Sequence, residues 1–247
     1  MIRTAEIGAQ EGSHACLVGT PPRVLVLGPD GGLHVVDPIA KDGPVELSQM
    51  NLPAGSRFLA SSELYVLLSS PAGPILVELD DPPSFARFPS RSTGLEVASA
   101  LKQGHFVVQV AGVLEEWSGP SRAPARRFRL DRAVNAQFLG GGAKYLWFVT
   151  RDQPSTLVVV SLLGSGPPAK IELDEPVATA CGDRSGQHVA IVGTKSRSIF
   201  LVSLSTKTIM PLGSPETIDI AWRGVHELVR VTSGQVELIT VPKPSGT

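Results

Sequence analysis

The sequence predicts an all-β fold built from six like repeats, and three observations predict it. When the second apolar run of each repeat is aligned, Arg23, Leu64, His105, Tyr145, His188 and Leu228 share one column, at spacings of 41, 41, 40, 43 and 40 residues. Six repeats of that size account for nearly all 247 residues. The apolar runs are strand-length, and several (Val24-Leu25-Val26-Leu27, Val107-Val108, Leu157-Val158-Val159-Val160) are continuous rather than alternating. Continuous hydrophobicity marks strands buried on both faces. Glycine and proline, 25 and 21 residues, fall between these runs, where they act as turn punctuation. A strand-built period of roughly 40–45 residues denotes propeller blades, which cannot bury their faces alone and must stack. The expected fold is an all-β, six-bladed β-propeller with four antiparallel strands per blade, in one domain spanning residues 1–247.

The blades are expected around residues 13–50, 56–90, 95–130, 134–173, 177–212 and 218–241. In the third, Glu96–Leu101, His105–Ala111, Val113–Ser118 and Ala125–Leu130 read as successive strands. The fifth repeats the pattern with Ala178–Cys181, His188–Gly193, Ser198–Ser203 and Thr208–Leu212. Hairpins at Pro29-Asp30-Gly31-Gly32, Ala111-Gly112 and Ser233-Gly234 carry glycine, which takes positive φ without a Cβ clash. The sixth repeat offers Ile218–Trp222, Glu227–Thr232 and Gln235–Val241 and lacks a fourth strand. Residues 2–8 are expected to supply it, so that the N-terminal strand pairs with the last blade and closes the ring.

Composition narrows the function classes. A formal net charge of −1 argues against bulk attraction to nucleic acid. The longest apolar stretches are far short of a membrane span, and Met1–Gly12, with Arg3, Glu6 and Glu11, lacks the apolar segment of a signal peptide. A cytoplasmic protein without a membrane segment is the expectation. Cys16 and Cys181 each lie seven residues before a second strand, in repeats one and five. Those repeats are not adjacent in a six-membered ring, so both cysteines are read as unpaired core thiols in a reducing compartment.

Segments such as Gly32-Leu33-His34-Val35-Val36-Asp37 and Ser198–Lys207 resemble the third strand and turn of WD40-like and YVTN-type propeller repeats. The Trp-Asp dipeptide of WD40 repeats is absent, Gly-His does not recur from repeat to repeat (it occurs once, at Gly104-His105), and Trp117, Trp147 and Trp222 do not occupy equivalent repeat positions. The resemblance covers all six repeats at the level of fold and implies a rigid binding platform.

Aligning the first strands puts His14, Arg57, Glu96, Asn135, Ala178 and Asp219 in one column, which in a propeller rings one mouth of the central channel. Glu96, Asn135 and Asp219 are hard oxygen donors of the kind calcium or another divalent ion takes. Six-bladed metallo-lactonases resemble this arrangement, and such an ion would polarise an ester carbonyl or acidify bound water, with His14 as base. The competing reading is a wet channel mouth that tolerates polar residues, where the Arg57 charge opposes a cation. A second feature is the arginine group Arg122, Arg126, Arg127, Arg129 and Arg132, with Arg87 and Arg91 in the preceding blade. It suits an acidic partner through bidentate carboxylate contacts; alternatively it guards an exposed sheet edge by charge. Phe128 and Leu130 alternate onto the strand face opposite Arg127 and Arg129, so no aromatic residue interleaves on the face of those two arginines for base stacking.

His105 and His188 share a repeat position that also holds Arg23, Leu64, Tyr145 and Leu228, and so reads as structural. Gly140-Gly141-Gly142-Ala143-Lys144 is followed by a strand, not a helix, and so reads as a strand-connecting turn rather than a phosphate loop. Zinc-ligand spacing and a nucleophile elbow are both absent from the sequence. The function expected is a non-catalytic interaction module for a protein or peptide partner, without a cofactor. The alternative is a divalent-metal hydrolase or lactonase at the channel mouth.

Overall fold

The computed structural model describes residues 13–18, 23–37, 45–62, 65–79, 84–87, 97–102, 105–118, 124–128, 130, 133–164, 166–183, 185–213, 215–222, 226–233 and 235–241. Among them every regular element is a strand, and each sheet is a meander in which strands adjacent in sequence pair antiparallel. The chain divides into two compact units, residues 1–129 and residues 130–247.

In residues 1–129, the first sheet comprises β1 (His14–Val18), β2 (Arg23–Leu27), β3 (Gly32–Asp37) and β4 (Val45–Asn51). The second has β5 (Arg57–Ser61), β6 (Tyr65–Ser69), β7 (Ile75–Glu78) and β8 (Ser84–Arg87), and the third β9 (Ala98–Lys102), β10 (His105–Val110), β11 (Val113–Ser118) and β12 (Arg126–Phe128). The first strands neighbour one another, β1 beside β5 and β5 beside β9. The continuous apolar runs follow from this stacking. On the second sheet Val66, Leu68, Ile75 and Val77 pack against Leu25, Leu27, Leu33 and Val35 of the first. From the same strands Leu67 and Leu76 point the other way, onto Phe106, Val108 and Trp117 of the third. The Arg23 guanidinium also ties the first two sheets by donating to the Leu79 carbonyl.

In residues 130–247, a sheet of β13 (Ala136–Gly141), β14 (Tyr145–Thr150), β15 (Thr156–Ser161) and β16 (Ala169–Glu172) comes first. A sheet of β17 (Val177–Gly182), β18 (His188–Gly193), β19 (Ile199–Ser203) and β20 (Thr208–Gly213) follows. The last has three described strands, β21 (Asp219–Trp222), β22 (Glu227–Val231) and β23 (Val236–Thr240). Val189 and Ile191 of β18 pack on Val149, Leu157 and Val159, while the intervening Ala190 and Val192 pack on Ile220 and Leu228.

The repeat alignment meets these elements closely. Arg23, His105, Tyr145 and His188 each open the second strand of their sheet, and Leu228 is the second residue of β22. Leu64 lies outside the described residues, as do residues 2–8, expected to complete the last sheet. The β10–β11 hairpin is a two-residue turn with φ of 47° at Ala111 and 79° at Gly112. Both central residues are left-handed, as the twist of paired strands requires, although only one of them is glycine.

The glycines of β13 and its turn have a packing explanation. Trp147, 1% exposed, lies over Gly140, its cross-strand partner, and over Gly182 of β17. A Cβ on Gly140 would stand 2.2 Å from a Trp147 ring carbon, and one on Gly182 would stand 3.0 Å from the indole nitrogen. A Cβ on Gly142 would meet Gly186 at 2.5 Å, backbone against backbone. The Gly142 N–H closes the turn on the Tyr145 carbonyl (2.9 Å), and β14 begins at Tyr145 itself. Because neither the ring nor the backbone can give way cheaply, Gly140→Ala is expected to cost about 2–3 kcal/mol in urea unfolding. At Gly166 an added Cβ meets nothing within 4 Å, so Gly166→Ala should stay within about 0.5 kcal/mol of the parent. Equal effects at the two sites would refute this seating of Trp147.

Candidate interaction face

In residues 130–247, the hairpins between second and third strands meet the links between successive sheets, and backbone hydrogen bonds join them. Leu173 N–H donates to the Ser155 carbonyl and Val177 N–H to the Pro154 carbonyl, each at 2.8 Å, so the β16–β17 link is held at both ends by the β14–β15 hairpin. Thr194 N–H donates to Pro176 (2.8 Å) and Thr217 N–H to Arg197 (3.0 Å), which holds the β18–β19 hairpin between two successive links. Glu175 reinforces this contact, its Oε2 accepting the N–H groups of Lys195 (2.5 Å) and Ser196 (3.0 Å). Burial pushes the Glu175 carboxyl up, but the hydrogen bonds from Ser196 and Lys195 and the Lys195 charge outweigh it and hold the group below its ordinary range. Residues 1–129 use the same device: Leu52 N–H donates to the Gly31 carbonyl at 2.9 Å. There φ is 94° at Gly31, and a Cβ would fall 2.1 Å from the Leu52 oxygen.

These bonds use main-chain groups and leave side chains free to display. In the second unit Arg151, Asp152, Lys195, Arg197, Glu216 and Ile218 are all exposed on these hairpins and links. The face is mixed in charge, with an apolar residue among the ions.

The column expected at a channel mouth is distributed over both units. His14 and Arg57 open the neighbouring strands β1 and β5, and both are exposed. Glu96 lies outside the described residues. Asn135 precedes β13 and accepts the Arg151 N–H on its carbonyl (2.9 Å), Ala178 lies within β17, and Asp219 opens β21. Asp219 Oδ1 accepts from Thr179 Oγ1 (3.2 Å) and from Ile220 N–H (2.9 Å), which fastens β21 to β17. Among the described residues no group of three His, Cys, Asp or Glu side chains converges as metal ligands would.

Of the arginine group, Arg91, Arg122, Arg129 and Arg132 lie outside the described residues, and Arg87 closes β8. Arg126 and Arg127 are neighbours on β12 with different surroundings. Arg126 stacks on the Phe128 ring, 4.9 Å from its centroid. Arg127 Nε donates to Glu115 Oε1 (2.9 Å), while Trp117 Nε1 donates to Oε2 of the same carboxylate (3.1 Å). Glu115 is 9% exposed and Arg127 69%: the arginine that reaches solvent also neutralises a buried acid.

Two further acceptors organise turns that sequence reasoning passed over. One is Glu175. The other is Asp183, 3% exposed, whose Oδ1 accepts from the N–H groups of Gln187 (2.8 Å) and His188 (3.1 Å) and whose Oδ2 accepts from Ser185 Oγ (2.7 Å). The signal for Asp183 was an aspartate followed closely by serine and glycine between two apolar runs. The free thiol of Cys181 is pushed up to about 12 by burial, with the Asp219 charge adding to it. Trp222 Nε1 donates to the Cys181 carbonyl across the sheets (3.1 Å).

No protein-family model matches the sequence, and no curated protein matches it. Solved structures do. Hsv2 of Kluyveromyces lactis aligns with a TM-score of 0.59 at 13% identity, over 90% of this chain and 71% of that one. The Swd1 β-propeller domain of Myceliophteria thermophila aligns at 0.64 and 12%, over 89% and 80%. A chain of the Mitotic Checkpoint Complex aligns at 0.65 and 11%, over 95% and 77%. The fold is a WD40-like β-propeller. At these identities the likeness establishes the fold alone.

Two outcomes follow from the geometry. Arg127→Ala leaves Glu115 with one donor in a buried position, and is expected to cost about 1–2 kcal/mol in urea unfolding, discounted for the arginine's exposure; no loss would mean that the pair contributes nothing. For Glu175, a folded pKa below the unfolded one means stabilisation that is complete above the ordinary carboxylate range and lost as pH falls through the lowered folded value. The stability gap between the parent and Glu175→Gln should therefore narrow on acidification. A gap that stays constant from neutral pH into strong acid would show that the charge is not what holds the hairpin.

Proposed function

We propose that the chain is a protein-interaction module. Its six sheets are the blades of one closed ring in a single domain, and a protein or peptide partner docks on the face made by the hairpins and links. One observation carries this reading: in residues 130–247 main-chain hydrogen bonds fix the described links between sheets to the neighbouring hairpins, so the exposed side chains of Arg151, Lys195, Arg197 and Ile218 are displayed from a rigid base. A preordered surface loses little conformational freedom on binding. The occurrence of a similar propeller within the Mitotic Checkpoint Complex supports a protein as the kind of partner.

Ring closure rests on the last sheet. It has three described strands where the others have four, and its outer strand β23 leaves Val236 72% and Leu238 48% exposed. Residues 2–8 would cover that edge. Removing them is expected to forfeit about 3 kcal/mol and lower Tm by roughly 6–12 °C; an unchanged melt would overturn the closure.

The docking reading is tested with folded charge-reversal variants. Arg151→Glu combined with Arg197→Glu should abolish capture of whatever partners the parent protein retains from an extract, and Arg126→Glu should not. Loss with Arg126→Glu alone would move the docking site to the arginine flank. Arg127 is unsuited to this test, because reversing its charge sets a second carboxylate against buried Glu115.

A further inference from the structure

We infer that Ser118, His105 and Glu116 form an acyl-transfer site, with the Ser118 hydroxyl as nucleophile. His105 opens β10 and is the cross-strand partner of Ser118, the last residue of β11. Glu116 lies two residues earlier on β11, and residues two apart on a strand share a face, so all three side chains project from one side of the sheet. His105 Nδ1 is 2.9 Å from Glu116 Oε1, and His105 Nε2 is 3.4 Å from Ser118 Oγ.

The order of these contacts sets the proton positions. An ionised carboxylate only accepts, so Glu116 holds the imidazole proton on Nδ1. Nε2 then presents its lone pair, and the group beside it is the Ser118 O–H. A hydroxyl, a base within reach of it and an acceptor orienting that base are the components of an activated nucleophile. Burial grades the site suitably: the Glu116 side chain is 15% exposed and the imidazole 24%, which shields the acid while leaving the base reachable. The 3.4 Å separation is of the loose kind that tightens when substrate is present.

The repeats provide an internal comparison. His188 occupies the same repeat position and also has a carboxylate on Nδ1, from Asp183 at 3.1 Å. There, however, the nearby hydroxyl of Ser185 donates to Asp183 rather than facing the ring, and the same carboxylate binds two backbone N–H groups. That constellation organises a turn. His34 has Glu46 on Nδ1 at 2.7 Å. Among the described residues, His105 alone has a carboxylate on one ring nitrogen and a hydroxyl on the other. The fold position does not demand the arrangement; the side chains of the third repeat create it.

The substrate class is a small ester. As Ser118 Oγ attacks the carbonyl carbon, its proton passes to His105 Nε2. The tetrahedral adduct then expels the alcohol, which leaves with that proton, and Ser118 is acylated. Water attacks the acyl-serine by the same route, giving its proton to Nε2, and the acid is released as the proton returns to Ser118 Oγ.

The test uses the full chain with a fluorophosphonate probe and, separately, p-nitrophenyl acetate. Peptide mass spectrometry should locate the probe on Ser118, and Ser118→Ala should lose it. His105→Gln should slow labelling by about 10²-fold, with its fold verified by thermal melting, whereas His34→Gln should label at the parent rate. Glu116→Gln should displace the pH profile of labelling as well as lower its rate, a change that a purely structural carboxylate would not produce. No label on Ser118 in the parent protein would overturn the proposal, as would an undiminished rate in folded His105→Gln.

Discussion

The second strands of the first five sheets are buried on both faces, and the rest of the molecule depends on that constraint. A strand such as β18 sends Val189 and Ile191 to one neighbour and Ala190 and Val192 to the other. Burying one such side chain contributes about 1.5–3 kcal/mol, and that gain exists only while the adjoining sheet is in place. Stability is therefore a property of stacked sheets, as in other repeat architectures. Middle-strand interiors are closed to polar side chains unless a partner comes with them. Chemistry is pushed to strand ends, hairpins, links and outer edges, and the chain's charged and hydroxyl groups are found there.

The exceptions obey the rule that a buried polar group must be satisfied. Glu115 enters the third sheet with Arg127 on one oxygen and Trp117 on the other. Asp183 is almost wholly enclosed and engages four donors. Thr156, buried at the head of β15, donates to Glu172 on β16 (2.9 Å). In each case the acid joins two segments that backbone pairing alone would leave less constrained. Trp147 is the contrary case, its indole nitrogen buried without a hydrogen-bond partner. Shape alone holds it, and its slot exists because Gly140 and Gly182 have no side chains.

The strands were legible because both-face burial writes continuous apolar runs into the sequence and the repeat writes them at a fixed period. Heads such as His105 and Tyr145 were located to the residue for that reason. The candidate site was less legible, because its construction lies in main-chain bonds between segments far apart in sequence. Nothing in Leu173, Val177 or Thr217 announces a donor to a hairpin. Glu175 and Asp183 are ordinary acidic residues until the folded chain brings amide groups to them. Likewise the column containing Asn135 and Asp219 was legible as a position, while the engagement of Asp219 with Thr179 on the neighbouring strand was not.

A fold specified this way separates its scaffold from its surface. The scaffold asks for apolar residues at spaced positions, glycine where backbones or an indole approach closely, and acceptors at a few turns. It does not ask for Gly-His and Trp-Asp dipeptides recurring in every repeat as in WD40 proteins: this chain has no Trp-Asp and a single Gly-His while adopting the same architecture. Links fastened through backbone groups leave most neighbouring side chains, Glu175 and Thr194 aside, free to be chosen by a partner. The same freedom applies at strand heads, where one repeat places His188 over a turn and another places His105 between a carboxylate and a hydroxyl. Functional differences among the repeats should therefore be sought where equivalent positions carry different partners, and the strand heads and hairpins are where this chain departs most from its own repeat.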